Sequence, residues 1–354
     1  MLSHIKVIEL ASVLAGPDVG MFFAEMGAKV IKIENDTVGG DVTRKWKIAS
    51  EDVESNVSAY FASVNWNKKF ESSNLKEQSD QRKVYELIRT SDIVIVNFKP
   101  GDAENLGMDY QTLKNHNPNI IYGEINGYGS ESNRVAYDAV LQAETGFMSM
   151  NGDATSGPIK MPVALIDVLA AHQLKEGILI ALLKKQKTGK GSLVKVSLYD
   201  TAISSLKNQA SNWLMNQILP KLAGSLHPNI APYGETFKTK DGKLLILAIG
   251  NNKQFDSLLT ILGAHNLRNN KIYSNNQHRV INRKKLAIEL KPYFNNLRKD
   301  FLMTEFIKLN IPVGAINTIE EVFKNKNAQK LILTEEIEGI NTQRIKTAVF
   351  KISN

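Results

Sequence analysis

Short apolar stretches alternate with stretches of helical spacing through the first half of the chain. Residues 6–10 and 29–34 have the pattern of buried strands, and the helical pattern of residues 19–28 lies between them and ends at Gly27. The same alternation continues with helix then strand over 84–98, strand over 117–127, helix over 137–150, helix from 167, strand over 193–198 and helix over 199–214. Apolar strands alternating with helices predict an α/β fold in which helices cover a mostly parallel sheet.

The pattern changes near residue 220. Residues 235–250 predict two strands joined at Asp241 and Gly242, because an Asp-Gly pair between apolar runs is typical of a β-hairpin. Helical patterns rich in lysine and asparagine follow, and residues 337–352 predict a closing hairpin. We therefore expect a smaller α+β domain after the parallel sheet.

The expected boundaries divide the chain into two domains. A length of 354 residues is enough for two compact domains, and no internal repeat or low-complexity tract occurs. The large domain is predicted over 1–200 and is completed by about 325–354, and the small domain is predicted over 225–320.

Composition limits the possible chemistry and location. The absence of cysteine excludes disulfides, thiolate nucleophiles and cysteine zinc sites, and it fits a reducing compartment. The amino terminus enters the first predicted strand without a signal-peptide pattern, so we expect a cytoplasmic protein. The longest uninterrupted apolar run, 177–183, is far shorter than the ~20 residues of a membrane span, so we expect no membrane partner.

The net charge of +8 has two interpretations. Lysine and arginine are interleaved with acidic residues along the whole chain, and no basic arm or stripe is present, so we expect no nucleic-acid partner. The excess positive charge favours either a small anionic substrate or simple solubility.

Several common catalytic motifs are missing. The segment after the first strand has Pro17 where a dinucleotide-binding G-x-G-x-x-G loop would lie. A phosphate-binding G-x-x-x-x-G-K-[ST] loop, an H-E-x-x-H zinc motif and a G-x-S-x-G elbow are also absent, and the six histidines lack ligand spacing. These absences disfavour dehydrogenases, NTPases, zinc hydrolases and serine hydrolases, and we expect no metal.

A series of short stretches resembles one known family. In chain order they are 7–34, 39–44, 65–69, 92–101, 117–129, 137–152, Asp167, 187–202, 227–242 and 311–321. Together they resemble the class III CoA-transferase family, and they cover nearly the whole chain to about residue 325. The resemblance implies a Rossmann-like large domain, a smaller domain and an interlocked homodimer.

The resemblance also implies an activity. Members of this family bind acyl-CoA and either move CoA to a small carboxylic acid or, in a racemase branch, invert the carbon beside the thioester carbonyl. The partners expected here are therefore an acyl-CoA and a carboxylic acid, with the CoA thioester as substrate and no separate cofactor. A CoA-binding protein without turnover is the alternative outside enzymes.

Asp167 is the candidate nucleophile that the resemblance implies. It interrupts an otherwise apolar stretch at 161–171 and precedes a predicted long helix. An ordinary carboxylate with a pKa near ~3.9 is ionised at neutral pH, and it can displace a thiolate from a thioester to form an aspartyl mixed anhydride. The apolar flank would keep water away from that anhydride. The alternative role is a helix N-cap, and the two roles are compatible.

Asp138 and Tyr137 bear on the choice between the two branches. The resemblance places Asp138 as an acidic residue near the nucleophile, although it also has the pattern of a helix start. Racemases of the family read Gly-His-Asp at 136–138, where this chain reads Ala-Tyr-Asp. A phenol is a poor base for removing an α-proton, so the transferase branch is favoured.

The resemblance also indicates residues for CoA itself. Backbone contacts are expected at Leu14, Ala15 and Gly16. The side chains expected near the nucleotide and its phosphates are those of Arg44, Lys68, Lys99 and Tyr137. The three cations suit the phosphates because they form charge-assisted hydrogen bonds with them.

Overall fold

The computed structural model describes residues 1–129 and 131–353, which form two compact units. The first unit comprises Met1–Met148, Lys160–Gln217 and Asn327–Asn354, and the second comprises Ser149–Ile159 and Ile218–Lys326. The segment Ser149–Ile159 belongs to the second unit, whereas the boundaries expected from the sequence place it in the large domain.

Strands occur in both units. In chain order they are β1 (Lys6–Leu10), β2 (Lys29–Glu34), β3 (Lys68–Ser72), β4 (Ile93–Val96), β5 (Ile121–Asn126), β6 (Gly152–Asp153), β7 (Gly157–Pro158), β8 (Ser192–Ser197), β9 (Tyr233–Lys238), β10 (Leu244–Ala248), β11 (Val313–Ala315), β12 (Ile332–Ile337) and β13 (Ile340–Ile345).

Helices separate most of the strands. They are α1 (Ala15–Glu25), α2 (Ala59–Ala62), α3 (Gln78–Arg89), α4 (Asp102–Asn105), α5 (Tyr110–His116), α6 (Asp138–Glu144), α7 (Phe147–Met150), α8 (Leu165–Thr188), α9 (Leu198–Ser204), α10 (Lys207–Asn216), α11 (Asn252–Leu262), α12 (His265–Arg268), α13 (Asn276–Ile281), α14 (Arg283–Asn296), α15 (Lys299–Lys308), α16 (Ile319–Phe323) and α17 (Lys326–Gln329).

The first unit is built on a six-stranded sheet with the order β3-β2-β1-β4-β5-β8. All five neighbouring pairs are parallel, which confirms the predicted α/β fold. This is the strand order of a Rossmann sheet, with β8 in the sixth position. The direction of winding reverses between β1 and β4, so a crevice forms beyond the carboxyl ends of these two strands.

Apolar side chains fill a core on each face of this sheet. Val7 of β1 packs in a cluster with residues of α1 and α8, and the next residue, Ile8, packs with residues of α3 and α5. Successive side chains of a strand point to opposite faces, so a strand covered on both sides reads as a continuous apolar run. This explains why these strands were recognisable in the sequence.

Two predicted helices are interrupted. The segment 137–150 forms α6 and α7, and Gly146 between them has a φ of 89°. The segment 199–214 is likewise split between α9 and α10. By contrast, the helix from 165 continues for 24 residues and ends where Gly189 adopts a left-handed conformation, as glycine favours at a helix carboxyl terminus.

The second unit has its own sheet and core. Strands β9 and β10 pair antiparallel around the predicted turn at Gly242, and β11 completes a sheet of order β11-β10-β9. Apolar residues from α11, α14 and α15 cover one face, including Leu258, Phe294 and Phe306.

Buried ionic groups cross the central strands of the first unit. The Glu9 carboxylate on β1 lies 3.0 Å from the Lys32 ammonium on β2 and 2.7 Å from that of Lys68 on β3, and all three side chains are fully buried. Lys32 also lies 3.1 Å from the Asp41 carboxylate. Gly20 of α1 makes room for the group, because an added Cβ would overlap the Glu9 carboxylate.

Replacing Gly20 with alanine should therefore destabilise the protein. We expect the free energy of unfolding to fall by about 1–3 kcal/mol, because the methyl group would displace a buried ion pair. Chemical denaturation of Gly20→Ala and of Gly314→Ala, whose added Cβ would make only an ordinary 3.5 Å contact, measures the effect. A Gly20→Ala variant more stable than wild type, as at an exposed helix position, would contradict this packing.

Candidate active site

A cavity of about 190 Å³ lies at the carboxyl edge of the parallel sheet. Its walls are the segments that follow β1, β4 and β5, together with the residues that lead into α6 and single residues of the first turns of α8 and α9. The lining residues include 12–15, 97–100, 125–127, 134–138, Asp167 and Leu198. The cavity thus lies at the reversal of strand order, where ligands of open α/β sheets bind.

The wall after β1 is held in a strained conformation. Val13 has a φ of 71°, which is unfavourable for a β-branched residue. Its N–H donates to both oxygens of the Asp41 carboxylate, at 3.2 and 3.3 Å. The neighbouring Ser12 exchanges two backbone hydrogen bonds with the Asn97 side chain, at 2.7 and 2.9 Å. These contacts fix the backbone that lines the cavity.

Asp167 is the third residue of α8 and is half-buried at the cavity. Burial, and secondarily the nearby negative charge of Asp138, raise the pKa of Asp167 to about 7. Among the described residues, no donor forms a hydrogen bond with its carboxylate. The pKa of Asp167 is therefore higher than the ordinary value expected from the sequence, because the apolar surroundings that exclude water also disfavour the charge.

Asp138 caps the helix that carries Asp167. Its buried carboxylate accepts a hydrogen bond from the backbone N–H of Ile166 at 2.8 Å and another from the Gln142 amide at 2.7 Å. The N-cap residue of α8 is Ala164, which provides no side-chain hydrogen bond. The N-cap role considered for Asp167 is thus wrong, and Asp138 performs it from another helix.

A further polar group, the Tyr60 hydroxyl, lies near the pair of carboxylates. Tyr60 on α2 is half-buried with its ring centroid 5.1 Å from that of Trp46. Burial and then the charges of Asp167 and Asp138 raise the pKa of Tyr60 to about 12, so its hydroxyl stays protonated. Sequence reasoning missed Tyr60, because only the folded chain brings α2 near α8.

The cations that line the cavity are Lys99 and Arg134. Lys99 follows β4 and is exposed, as expected for a phosphate-binding residue. The Arg134 guanidinium lies 2.6 Å from Glu144 and 4.2 Å from the ring centroid of Tyr128. Sequence reasoning also missed Arg134, although it lies only three residues before Tyr137, a residue already expected near CoA. Tyr137 lines the cavity and is 57% exposed.

The structure does not bring Arg44 and Lys68 to this cavity. Arg44 forms a two-pronged contact with Glu34, at 3.0 and 2.6 Å, and lies 3.1 Å from Glu338. Lys68 is buried against Glu9 and donates to the Pro17 carbonyl at 2.8 Å, and burial lowers its pKa to about 8. Both cations are therefore occupied by protein partners.

Two of the three residues expected to contact CoA through their backbone are at the cavity. Leu14 and Ala15 line it, whereas Gly16 is not among the described lining residues, and an added Cβ at Gly16 would overlap Ala11.

In the described part of the chain, no cluster of three or more His, Asp or Glu side chains could hold a metal ion. Over the same residues, none of the helices has the length and apolar character of a membrane span.

Comparisons with known proteins agree on one family. The model of CoA-transferase family III matches residues 2–353. The chain is 37% identical to a succinate–glutarate CoA-transferase of Agrobacterium fabrum, covering 96% of this chain and 85% of that protein. It is 34% identical to the succinyl-CoA:glutarate CoA-transferase of Homo sapiens, covering 95% and 76%. The crystal structure of a CAIB/BAIF family protein from Brucella suis superposes with a TM-score of 0.84 at 34% identity, covering 99% and 92%.

The raised pKa of Asp167 predicts a pH-dependent stability difference. The pKa of Asp167 is higher in the folded state than the ~3.9 of an unfolded chain. The contribution of Asp167 to the stability of the folded protein is therefore fully present below ~3.9 and is lost as the pH rises through about 7. Asp167→Asn, which stays neutral, should therefore gain stability relative to wild type as the pH rises from about 4 to about 7.

Chemical denaturation across this pH range measures the difference. Asp200→Asn is the matched control, because Asp200 is an exposed residue at the same third position of its helix, α9. A stability difference for Asp167→Asn that does not change with pH would show that the folded protein does not resist ionisation of this group.

Proposed function

The chain belongs to CoA-transferase family III, and we propose that Asp167 is the nucleophile of its acyl-CoA:carboxylate transfer reaction. One observation carries the proposal. Asp167 is a carboxylate without a hydrogen-bond donor among the described residues, and it lines the cavity at the reversal of strand order. A structural carboxylate in a buried place is normally hydrogen-bonded or paired, so a free one is a candidate for chemistry.

The proposed reaction proceeds through two kinds of covalent intermediate. A carboxylate oxygen of Asp167 attacks the thioester carbonyl, the C–S bond breaks, and CoA leaves as a thiolate from an aspartyl mixed anhydride. The thiolate then attacks the aspartyl carbonyl, which releases the first acid and leaves an enzyme–CoA thioester. The carboxylate of the second acid attacks that thioester, which releases the CoA thiolate and forms a new aspartyl anhydride. The thiolate then attacks the carbonyl of the second acid, which gives the new acyl-CoA and frees the Asp167 carboxylate.

The environment of Asp167 suits this sequence. A pKa of about 7 leaves a substantial ionised fraction at neutral pH and makes the carboxylate more basic than an ordinary one. More basic oxygens are better nucleophiles, so burial and the charge of Asp138 both favour attack. Burial also limits the water that would hydrolyse the anhydride.

The cavity walls support a location for CoA. We assign backbone contacts to Leu14 and Ala15, with Gly16 supporting them from within α1, and side-chain contacts to Lys99 and Tyr137. Lys99 is exposed and supplies a charge-assisted donor for a phosphate. Arg44 and Lys68 are left out of the assignment because neither is among the described residues that line the cavity.

The acids are proposed to be short dicarboxylates. The relatives from Agrobacterium fabrum and Homo sapiens carry succinate or succinyl and glutarate in their names. The cavity offers two cations, Lys99 and Arg134, and a second carboxylate on the substrate would meet one of them. Racemisation is not favoured, because no histidine is present among the described residues that line the cavity.

The homodimer expected from the resemblance stays a proposal. Helices α8 and α10 expose large apolar side chains, namely Ile180, Leu183, Leu214 and Met215, of which Met215 is 80% exposed. Surfaces of this kind favour a protein partner. The cytoplasmic location also stays a prediction.

Asp167→Ala should abolish CoA transfer while CoA binding remains. We expect kcat to fall by at least about 1000-fold, because Asp138, the other carboxylate among the described lining residues, has both oxygens engaged in hydrogen bonds. Incubating wild type with acyl-CoA and then hydroxylamine should convert Asp167 to a hydroxamate detectable by peptide mass spectrometry. Asp200→Asn should transfer CoA like wild type, and Asp167→Ala with full transfer would refute the nucleophile.

A panel of acceptor acids tests the proposed substrate class. With succinyl-CoA as donor, glutarate and other short dicarboxylates should react with kcat/KM at least about 10-fold above monocarboxylates of equal length, because a second charge adds a hydrogen-bonded ion pair. Product acyl-CoAs are read by mass spectrometry. Equal rates with monocarboxylates would overturn the assignment of dicarboxylates but not that of the nucleophile.

A further inference from the structure

The side-chain amide of Gln142 joins Asp138 to the segment that leads into α8. Gln142 is only 1% exposed and lies one helical turn after Asp138 on α6. Its Nε2 donates to Asp138 at 2.7 Å, and its Oε1 accepts from the backbone N–H of Met161 at 2.7 Å. Longer contacts of 3.4 and 3.5 Å join Nε2 to the carbonyls of Met161 and Val163.

These contacts require both a donor and an acceptor on one planar group. A carboxylate side chain offers only acceptors and a hydrocarbon offers neither, whereas an amide satisfies Asp138 and Met161 at the same time. With Ile166 N–H on its other oxygen, the Asp138 carboxylate has both oxygens occupied. Its negative charge is therefore fixed in place beside Asp167.

The same amide fixes the entry to α8. Met161 is held by Gln142, and the Val163 carbonyl accepts a hydrogen bond from Leu165 N–H at 2.8 Å in the first turn of the helix. Asp167 follows two residues later. Gln142 thus contacts both structures that determine where the Asp167 carboxylate lies, without lining the cavity itself in the described part of the chain.

We propose that Gln142 is a positioning residue of the transfer reaction, which holds Asp138 and the 161–163 segment so that Asp167 is presented to the thioester. The inference rests on the proposed role of Asp167. The amide contacts Asp138 on α6, whose charge acts on Asp167 of α8 and Tyr60 of α2. It shares the Met161 carbonyl with Lys160, whose ammonium donates to that carbonyl at 3.2 Å.

Two variants with the same shape test the proposal. Gln142→Met removes both hydrogen bonds, and kcat should fall about 10- to 100-fold at every pH, as for the loss of other supporting hydrogen bonds at active sites. Gln142→Glu keeps the acceptor for Met161. While its buried carboxyl is protonated, the O–H replaces the amide as donor to Asp138, and once ionised it repels Asp138.

The pH dependence of kcat is the readout that a merely structural role would not change in this way. Wild-type activity should rise with pH as Asp167 ionises, with a midpoint near the pKa of about 7. Gln142→Glu should follow wild type at low pH and then lose activity at high pH, which gives a bell-shaped profile. The KM for acyl-CoA should stay within about threefold of wild type, because CoA contacts are unchanged.

Gln173 provides the matched control. Its amide also donates to a carboxylate, that of Glu176 at 3.3 Å, but on the exposed surface of α8. Gln173→Met and Gln173→Glu should have the kcat and pH profile of wild type. Circular dichroism at each pH measures the folded fraction, by which every rate is corrected.

Three results would overturn the role of Gln142. These are wild-type kcat in Gln142→Met, a Gln142→Glu profile parallel to that of wild type, or losses of kcat that vanish after correction for the folded fraction. Each can be separated from failure of the proposed function, because the hydroxamate at Asp167 and the inactivity of Asp167→Ala would still be observed.

Discussion

The ion pair between Glu9 and Lys32 is the constraint on which the cavity depends. A carboxylate in the central strand of a sheet is costly to bury, and Glu9 is tolerated because lysines on both following strands neutralise it. Lys32 also pairs with Asp41, whose carboxylate accepts hydrogen bonds from the Val13 N–H. These bonds stabilise a backbone conformation that is unfavourable for valine. The shape of the cavity wall after β1 is therefore set by charged groups that are not among the described residues lining the cavity.

Asp138 on α6 and Asp167 on α8 have different environments near the amino terminus of α8. Asp138 accepts one hydrogen bond from the Ile166 N–H at the amino terminus of α8 and another from the Gln142 amide on α6, so its carboxylate is stabilised. Asp167, three residues into the helix, receives none from the described residues, and burial leaves it with a raised proton affinity. The protein thus keeps Asp167 in surroundings that disfavour its charge, while the nearby Asp138 has its hydrogen bonds satisfied. Strongly shifted pKa values of this kind are common at functional sites.

Much of the fold was predictable because burial on both faces of a parallel sheet leaves largely apolar runs. Strands β1 and β2 occupy the predicted residues 6–10 and 29–34, whereas α1 begins and ends a few residues before the predicted 19–28. Asp167 was found by its interruption of such a run and by family resemblance. The capping of α8 by Asp138, the proximity of Tyr60 and the pairing of Lys68 with Glu9 were not predictable. Each depends on which side chains meet across elements distant in sequence, whereas hydrophobic periodicity reports only which side of an element is buried.

The division of the first unit among three segments has a consequence for biosynthesis. The second unit has all of its residues once Lys326 has been made, whereas the first still lacks the hairpin of β12 and β13, whose Glu338 pairs with Arg44. Because domains fold as units during translation, the later-starting unit can complete its core first. The contacts that β12 and β13 make with the rest of the first unit, such as that of Glu338 with Arg44, can therefore form only after the second unit has been synthesised.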